Sequence, residues 1–159
     1  MGGELCTERL VLRRAVKGDA ATIALHCAEP RIYRMLARMK PGQSVEDSRA
    51  FLAQIEQNVH AHVFTVWENN SFCGLCGVER NASGIDELGY WYAVSAWGRG
   101  IASEAASGIL NHAQHQLGVK ALHSGHFVDN PASGRILAKL GFLPAGWSLR
   151  YSFGRGEWV

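Results

Sequence analysis

The chain has 159 residues, enough for one hydrophobic core and short for two. Apolar residues make up 47% and charged residues 19%, an ordinary globular mixture. The formal charge of +2 is scattered, with Arg13-Arg14 the densest N-terminal pair, which argues against a nucleic-acid groove or a polybasic membrane anchor. No run approaches the roughly 20 apolar residues of a membrane span, and Met1 to Glu8 lacks the order of a secretory signal. A cytoplasmic location is expected.

Leu10, Val11 and Leu12 between arginines predict a first strand over about Glu8 to Ala15. Asp19 opens a helical pattern with Ile23 and Leu25 that stops near Pro30. Ser44 is placed to cap a second helix, whose inner stripe reads as Ala50, Phe51, Ile55 and Val59. From His62 the period changes to two. His62–Trp67, a turn at Asn69-Asn70, and Phe72–Glu79 form a hairpin. A turn at Asn81–Gly84 then leads into an aromatic strand from Asp86 to Val94. Ser103 to Leu117 has one broad apolar face, with Gly118 as its stop. Ala121–Val128 reads as another strand. Asn130 and Pro131 start a short helix that Gly141 ends, and a closing strand begins at Phe142. Helices on the faces of a mixed sheet give an α+β, three-layer domain spanning residues 1–159.

Cys73 and Cys76 have the C-x-x-C spacing of metal or redox sites. No second pair completes a zinc set. The segment also reads as a strand, on which residues three apart face opposite sides. Small, reduced core residues are the expectation, with no metal. The seven histidines make no ligand pattern either, and His112 and His115 are expected on the solvated side of the long helix.

The segment Tyr92–Ala102 is the informative one. A strand ends, Gly98 and Gly100 flank Arg99, and a long helix begins. Backbone N–H groups at a helix N-terminus lack partners, and the dipole there favours anions. Glycines allow close approach, and an arginine adds a charge-assisted contact. The loop lacks the Gly-Lys-Ser/Thr of a Walker motif. Ser103 occupies the third glycine position of a dinucleotide fingerprint.

Four motifs in order resemble the GNAT superfamily of N-acetyltransferases. They are Glu87-Leu88-Gly89-Tyr90-Trp91, Trp97–Ala105, Asn130-Pro131-Ala132-Ser133 and Lys139-Leu140-Gly141-Phe142. With the opening Thr7–Arg13, they are most similar to the RimJ/RimL-like branch, which acts on ribosomal-protein N-termini. The resemblance covers nearly the whole chain. It implies a mostly antiparallel sheet with splayed central strands and four helices, and acetyl-CoA as cosubstrate. It makes Gly98, Arg99, Gly100, Ile101 and Ala102 the pyrophosphate loop, and gives the pantetheine arm backbone partners on Tyr92, Ala93 and Val94 and the side chain of Asn130. Trp97 stands where the wider superfamily has Gln or Arg, leaving Arg99 as the only side-chain cation inside the loop.

For the chemistry, the resemblance makes Glu87 the base that takes the proton of the attacking amine. Val94 N–H is the oxyanion donor, and Ser133 supports the leaving thiolate. The superfamily's usual leaving-group tyrosine falls at Leu137, which cannot donate. Direct transfer in a ternary complex is expected, without an acetyl-enzyme, because no cysteine falls at the predicted acetyl position. The missing tyrosine motivates the runner-up, a non-catalytic acyl-CoA sensor, while the presence of Glu87 argues against it. The acceptor is a primary amine, either a protein N-terminus or a small molecule, and His26 and Tyr33 are substrate-contact candidates. The aromatic C-terminus, with Trp147, Tyr151, Phe153 and Trp158, either covers the core or pairs across a homodimer.

Overall fold

The computed structural model describes residues 3–159. A hairpin of β1 (Leu5–Cys6) and β2 (Val11–Arg14) leads into α1 (Ala20–Cys27). A short helix, α2 (Pro30–Tyr33), and α3 (Val45–Gln57) complete one layer. The sheet continues through β3 (Ala61–Glu68), β4 (Ser71–Arg80) and β5 (Asp86–Tyr92). Its order is β1-β2-β3-β4-β5 and every neighbouring pair is antiparallel. The other layer holds α4 (Ile101–His115) and α5 (Pro131–Lys139), and the chain ends in a hairpin of β6 (Tyr151–Ser152) and β7 (Glu157–Trp158).

The α+β class and its largely antiparallel sheet hold, with three corrections. Among the described residues five α-helices form, not four: Pro30, read as a stop for α1, is the first residue of α2, where its missing N–H goes unneeded. The strand expected over Ala121–Val128 is reduced to one parallel bridge between Glu87 and His123. Beyond that bridge the segment has no further strand partner among the described residues, so the mixed character of the sheet rests on one contact. The closing strand from Phe142 is instead irregular and mostly exposed up to Arg150, a stretch interrupted by Pro144 and Gly146.

Each sheet face packs a separate apolar cluster. Leu12, Phe64, Val78, Leu88 and Tyr92 meet Ile101, Ala105 and Ile109 of α4. Ile23, Leu52, Ile55, Val63 and Leu75 fill the α1–α3 side. Ser44 caps α3 in a reciprocal box with Asp47. The inner stripe of α3 is Ser48, Leu52 and Ile55, one step round from the expected set. Phe51 sits at its flank, Ala50 is exposed, and Val59 lies past the helix end. His112 also departs from expectation. It turns edge-on against Phe64 at 5.5 Å, because it follows Ile109 by three residues and shares the buried flank of α4. Burial, with Arg14 nearby, lowers its pKa.

A β-bulge reorganises the Cys73–Cys76 segment. The pairing of β3 and β4 shifts at Val66/Trp67, so that Val66 opposes Gly74 and Trp67 opposes Phe72. The extra residue reverses the alternation. Cys73 and Cys76 therefore point into the same cluster rather than to opposite faces, both buried and unbridged. Gly74 makes the bulge possible: its φ is +150°, and a Cβ there would lie 2.2 Å from the Trp91 carbonyl oxygen. Gly74→Ala should therefore cost stability at the upper end of the ~1–3 kcal/mol typical of overpacking, read as a lower urea midpoint at unchanged slope.

Candidate active site

The site begins with β5. Its odd-numbered residues bond to β4, so the backbone groups of Leu88, Tyr90 and Tyr92 face the other way. Leu88 N–H donates to the His123 carbonyl at 2.8 Å, and Ser124 Oγ donates to the Leu88 carbonyl at 2.8 Å. No pairing follows beyond Ser124 among the described residues, and the outer edge of β5 opens from Tyr90 onward. The Tyr92 carbonyl accepts from Trp97 Nε1 at 2.8 Å. Ala93 is already committed on both sides: its N–H donates to Cys73 O at 2.8 Å and its carbonyl accepts from Ala96 N–H at 2.9 Å. Tyr90 and Tyr92 thus face their backbone N–H groups along the opening, and Ala93 does not; Val94 lies past the strand end, in a short helical turn over Val94–Ala96.

Where this edge ends, the loop Trp97–Gly100 turns into α4. Gly98 and Gly100 have φ of 69° and 77°, values that favour glycine. A Cβ on Gly98 would meet nothing within 4 Å, so the loop surface is open. Gly100 is the N-cap and no side chain caps the helix. Ile101, Ala102 and Ser103 therefore present N–H groups outward, and the first intrahelical bond runs from Glu104 N–H to the Gly100 carbonyl at 3.1 Å.

Arg99 does not offer its guanidinium to that opening; it pairs with Glu68. The loop is held instead by Arg9, which sequence reasoning missed. Arg9 Nη1 donates to the Arg99 carbonyl at 3.0 Å, and its Nε and backbone N–H donate to Glu104 at 2.7 and 2.8 Å. Thr7 adds a further bond to Glu104. Burial pushes the Glu104 carboxyl up, but the bonds from Thr7 and Arg9 outweigh it and hold its pKa below the ordinary value. Thr7 and Arg9 lie in the opening motif, but nothing in their spacing indicates a contact 95 residues away.

A cleft of about 3030 Å³ runs along the open edge, lined by Glu87, Tyr90, Gly98, Gly100, Asn130 and Ser133 among others. Glu87 is about 35% exposed, accepts from Asn81 Nδ2 at 3.2 Å and lies 4.0 Å from Arg150 Nη2. Asp86, its neighbour in the chain, faces away and is locked by Arg80 at 2.8 and 2.9 Å. Asn130 caps α5 with Oδ1, which accepts from Ser133 N–H at 3.3 Å, leaving Nδ2 for another partner. Ser133 Oγ lies 2.9 Å from the hydroxyl of Tyr90, a residue assigned no role from sequence. Leu137 is 7% exposed within the α4-side core, so its identity reflects packing.

His26 and Tyr33 are not brought to the cleft. His26 stacks on Phe72 at 5.1 Å, and burial lowers its pKa; Tyr33 packs at the margin of the α1–α3 core. The cleft wall is built by Met35, Leu36 and Arg38 together with Trp147, Arg150 and Phe153. These two regions are tied together: Phe153 N–H donates to the Ala37 carbonyl at 2.9 Å, and Arg155 bridges from the Arg34 carbonyl to Asp129.

An opened strand edge that runs into an uncapped helix terminus suits an acyltransferase drawing on a nucleotide thioester. The acetyltransferase (GNAT) domain model matches residues 9–143, and the chain belongs to that family. It is an acetyl-CoA-dependent N-acetyltransferase. The uncharacterized N-acetyltransferase YoaA of Bacillus subtilis is 34% identical over 94% of this chain and 88% of its own length. The [ribosomal protein uS5]-alanine N-acetyltransferase of Escherichia coli is 24% identical, covering 97% and 85%. The fold is shared with the spermidine N-acetyltransferase of Vibrio cholerae, solved with CoA and spermine, at a TM-score of 0.81 and 19% identity over 96% and 92% of the chains.

Burial pushes the thiols of Cys27 and Cys76 up to about 12, so neither forms thiolate at neutral pH. A disulfide reagent at neutral pH should modify Cys6, the exposed cysteine, rapidly. The three buried ones should react only on unfolding.

Proposed function

We propose that the cleft along β5 transfers acetyl from acetyl-CoA to a primary amine, either a protein N-terminal α-amine or a small-molecule amine, in a ternary complex. The observation that carries this is the continuity of the open β5 edge with the uncapped α4 terminus. Gly98, Gly100 and the N–H groups of Ile101 and Ala102 suit a pyrophosphate. Arg99 contributes its backbone, since its side chain is engaged by Glu68. Tyr92, Val94 and the free Nδ2 of Asn130 suit the amide-bearing pantetheine arm. Val94 N–H is the donor for charge developing on the thioester oxygen.

An alkyl amine, with pKa about 10.4, is mostly protonated at neutral pH and cannot attack until it loses a proton. Glu87 lies in the cleft and is partly solvated, so it can accept that proton directly or through one water. Ser133 stands on the leaving-group side. The activities of the uS5-alanine and spermidine enzymes support both acceptor types. The joined segments at Met35–Arg38 and Trp147–Phe153 would select between them. A cytoplasmic location without nucleic-acid partners belongs to the same reading.

Glu87→Gln should lower kcat by ~10²–10⁴ while calorimetry records unchanged CoA affinity. A variant that keeps full turnover in a thiol-release assay would remove Glu87 from the chemistry. Leu143, Trp147, Leu149 and Trp158 are 85%, 87%, 76% and 67% exposed, an apolar set that supports a homodimer over a core-covering role. Sedimentation velocity should give a dimer for the native chain and a monomer for Trp147→Asp; a native monomer at all concentrations would rule the dimer out.

A further inference from the structure

The leaving-group side of the cleft contains a tyrosine hydroxyl that the acetyl-transfer reading does not use. Tyr90 reaches from β5 so that its Oη lies 2.9 Å from Ser133 Oγ and 3.3 Å from the Ser133 carbonyl oxygen. Its ring is held against Tyr92, with centroids 5.7 Å apart, and Tyr92 is buried with its own hydroxyl bonded to the Ala102 carbonyl at 3.3 Å. The phenol is thus fixed by the sheet and aimed at the first turn of α5.

A carbonyl oxygen can only accept a hydrogen bond, so the three oxygens allow two proton arrangements. In one, Tyr90 donates to the Ser133 carbonyl and the serine hydroxyl donates to Tyr90. In the other, Tyr90 donates to Ser133 Oγ and the serine proton is free for a third acceptor. The two differ by rotation of two O–H bonds, with no heavy atom moving.

We infer that Tyr90 is a positioning residue: it fixes Ser133 Oγ and, by switching its own hydrogen bond, turns the serine proton toward the departing sulfur. This rests on the acetyl-transfer reading. As the amine nitrogen bonds to the acetyl carbon, the C–S bond breaks and its electron pair stays on sulfur. Ser133 O–H then donates a hydrogen bond to that sulfur. The nitrogen sheds a proton as it becomes an amide, and the thiolate takes one up from water, so the step balances. A full proton transfer from the pair to sulfur is uphill. A cysteine-type thiol has a pKa of about 8.5 against about 10 for tyrosine, and burial raises that of Tyr90 further. The pair therefore stabilises charge and does not surrender a proton.

The test is a double-mutant cycle of Tyr90→Phe and Ser133→Ala, read by turnover and by coenzyme binding. Tyr90→Phe should lower kcat about tenfold, the scale of one hydrogen bond, at unchanged KM for acetyl-CoA, and should cost nothing more in the Ser133→Ala background. Independently of turnover, calorimetry on the wild type should show free CoA binding more tightly as pH rises through the thiol's range, about 8.5. That dependence should flatten in either variant. Acetyl-CoA, which has no thiol, should show none of it. Wild-type kcat in Tyr90→Phe overturns the inference, as does a loss that multiplies with Ser133→Ala or an unchanged pH dependence of CoA binding. Absence of thiol release by the wild type with every amine overturns the acetyl-transfer reading as well, and so separates the two failures.

Discussion

The arrangement of the molecule depends on an unequal division of hydrogen bonds along β5. One edge is fully paired to β4 from Asp86 to Tyr92. The other is tied to the segment around His123 at a single point and then released. Unmet backbone donors and acceptors must find protein, water or ligand partners. Here the cleft leaves them available. Had the segment after Ser124 continued to pair, Tyr90 and Tyr92 would be ladder residues with nothing to offer a substrate.

The α4 terminus follows the same logic. The charged groups near it are paired with one another, Arg99 with Glu68 and Arg9 with Glu104. Ion pairs whose cation stays in solvent contribute little to stability, so their importance is geometric. They hold a glycine loop in one shape and draw side-chain charge aside, leaving amides as the groups that face outward. Such donors are fixed by the helix and need no reorganisation when an anion arrives.

Between these features lies the bulge at Cys73–Gly74. It turns two thiols into the α4-side core, and it brings Gly74 against the backbone at Trp91 and Tyr92, where β5 gives way to the loop. The C-terminal hairpin closes the other wall by docking on residues 34–37. Two segments far apart in sequence therefore shape one acceptor surface.

The sequence by itself determined the local grammar of the chain. The Asn69-Asn70 hairpin, the Ser44 and Asn130 caps, the glycine-opened start of α4 and the placing of Glu87 on β5 all follow from interactions within a few residues. It also carried the family, through four ordered motifs. Other features depend on contacts across tens of residues, which spacing does not encode. Whether Ala121–Val128 became a strand hinged on a missing second neighbour. Where Cys73 pointed hinged on a register shift against β3, and where the guanidinium of Arg99 went hinged on Glu68. The hydroxyl of Tyr90 found Ser133 only because β5 and α5 meet. Side chains are committed by what the tertiary fold sets beside them, and for that reason the chemistry's supporting residues appeared only in three dimensions.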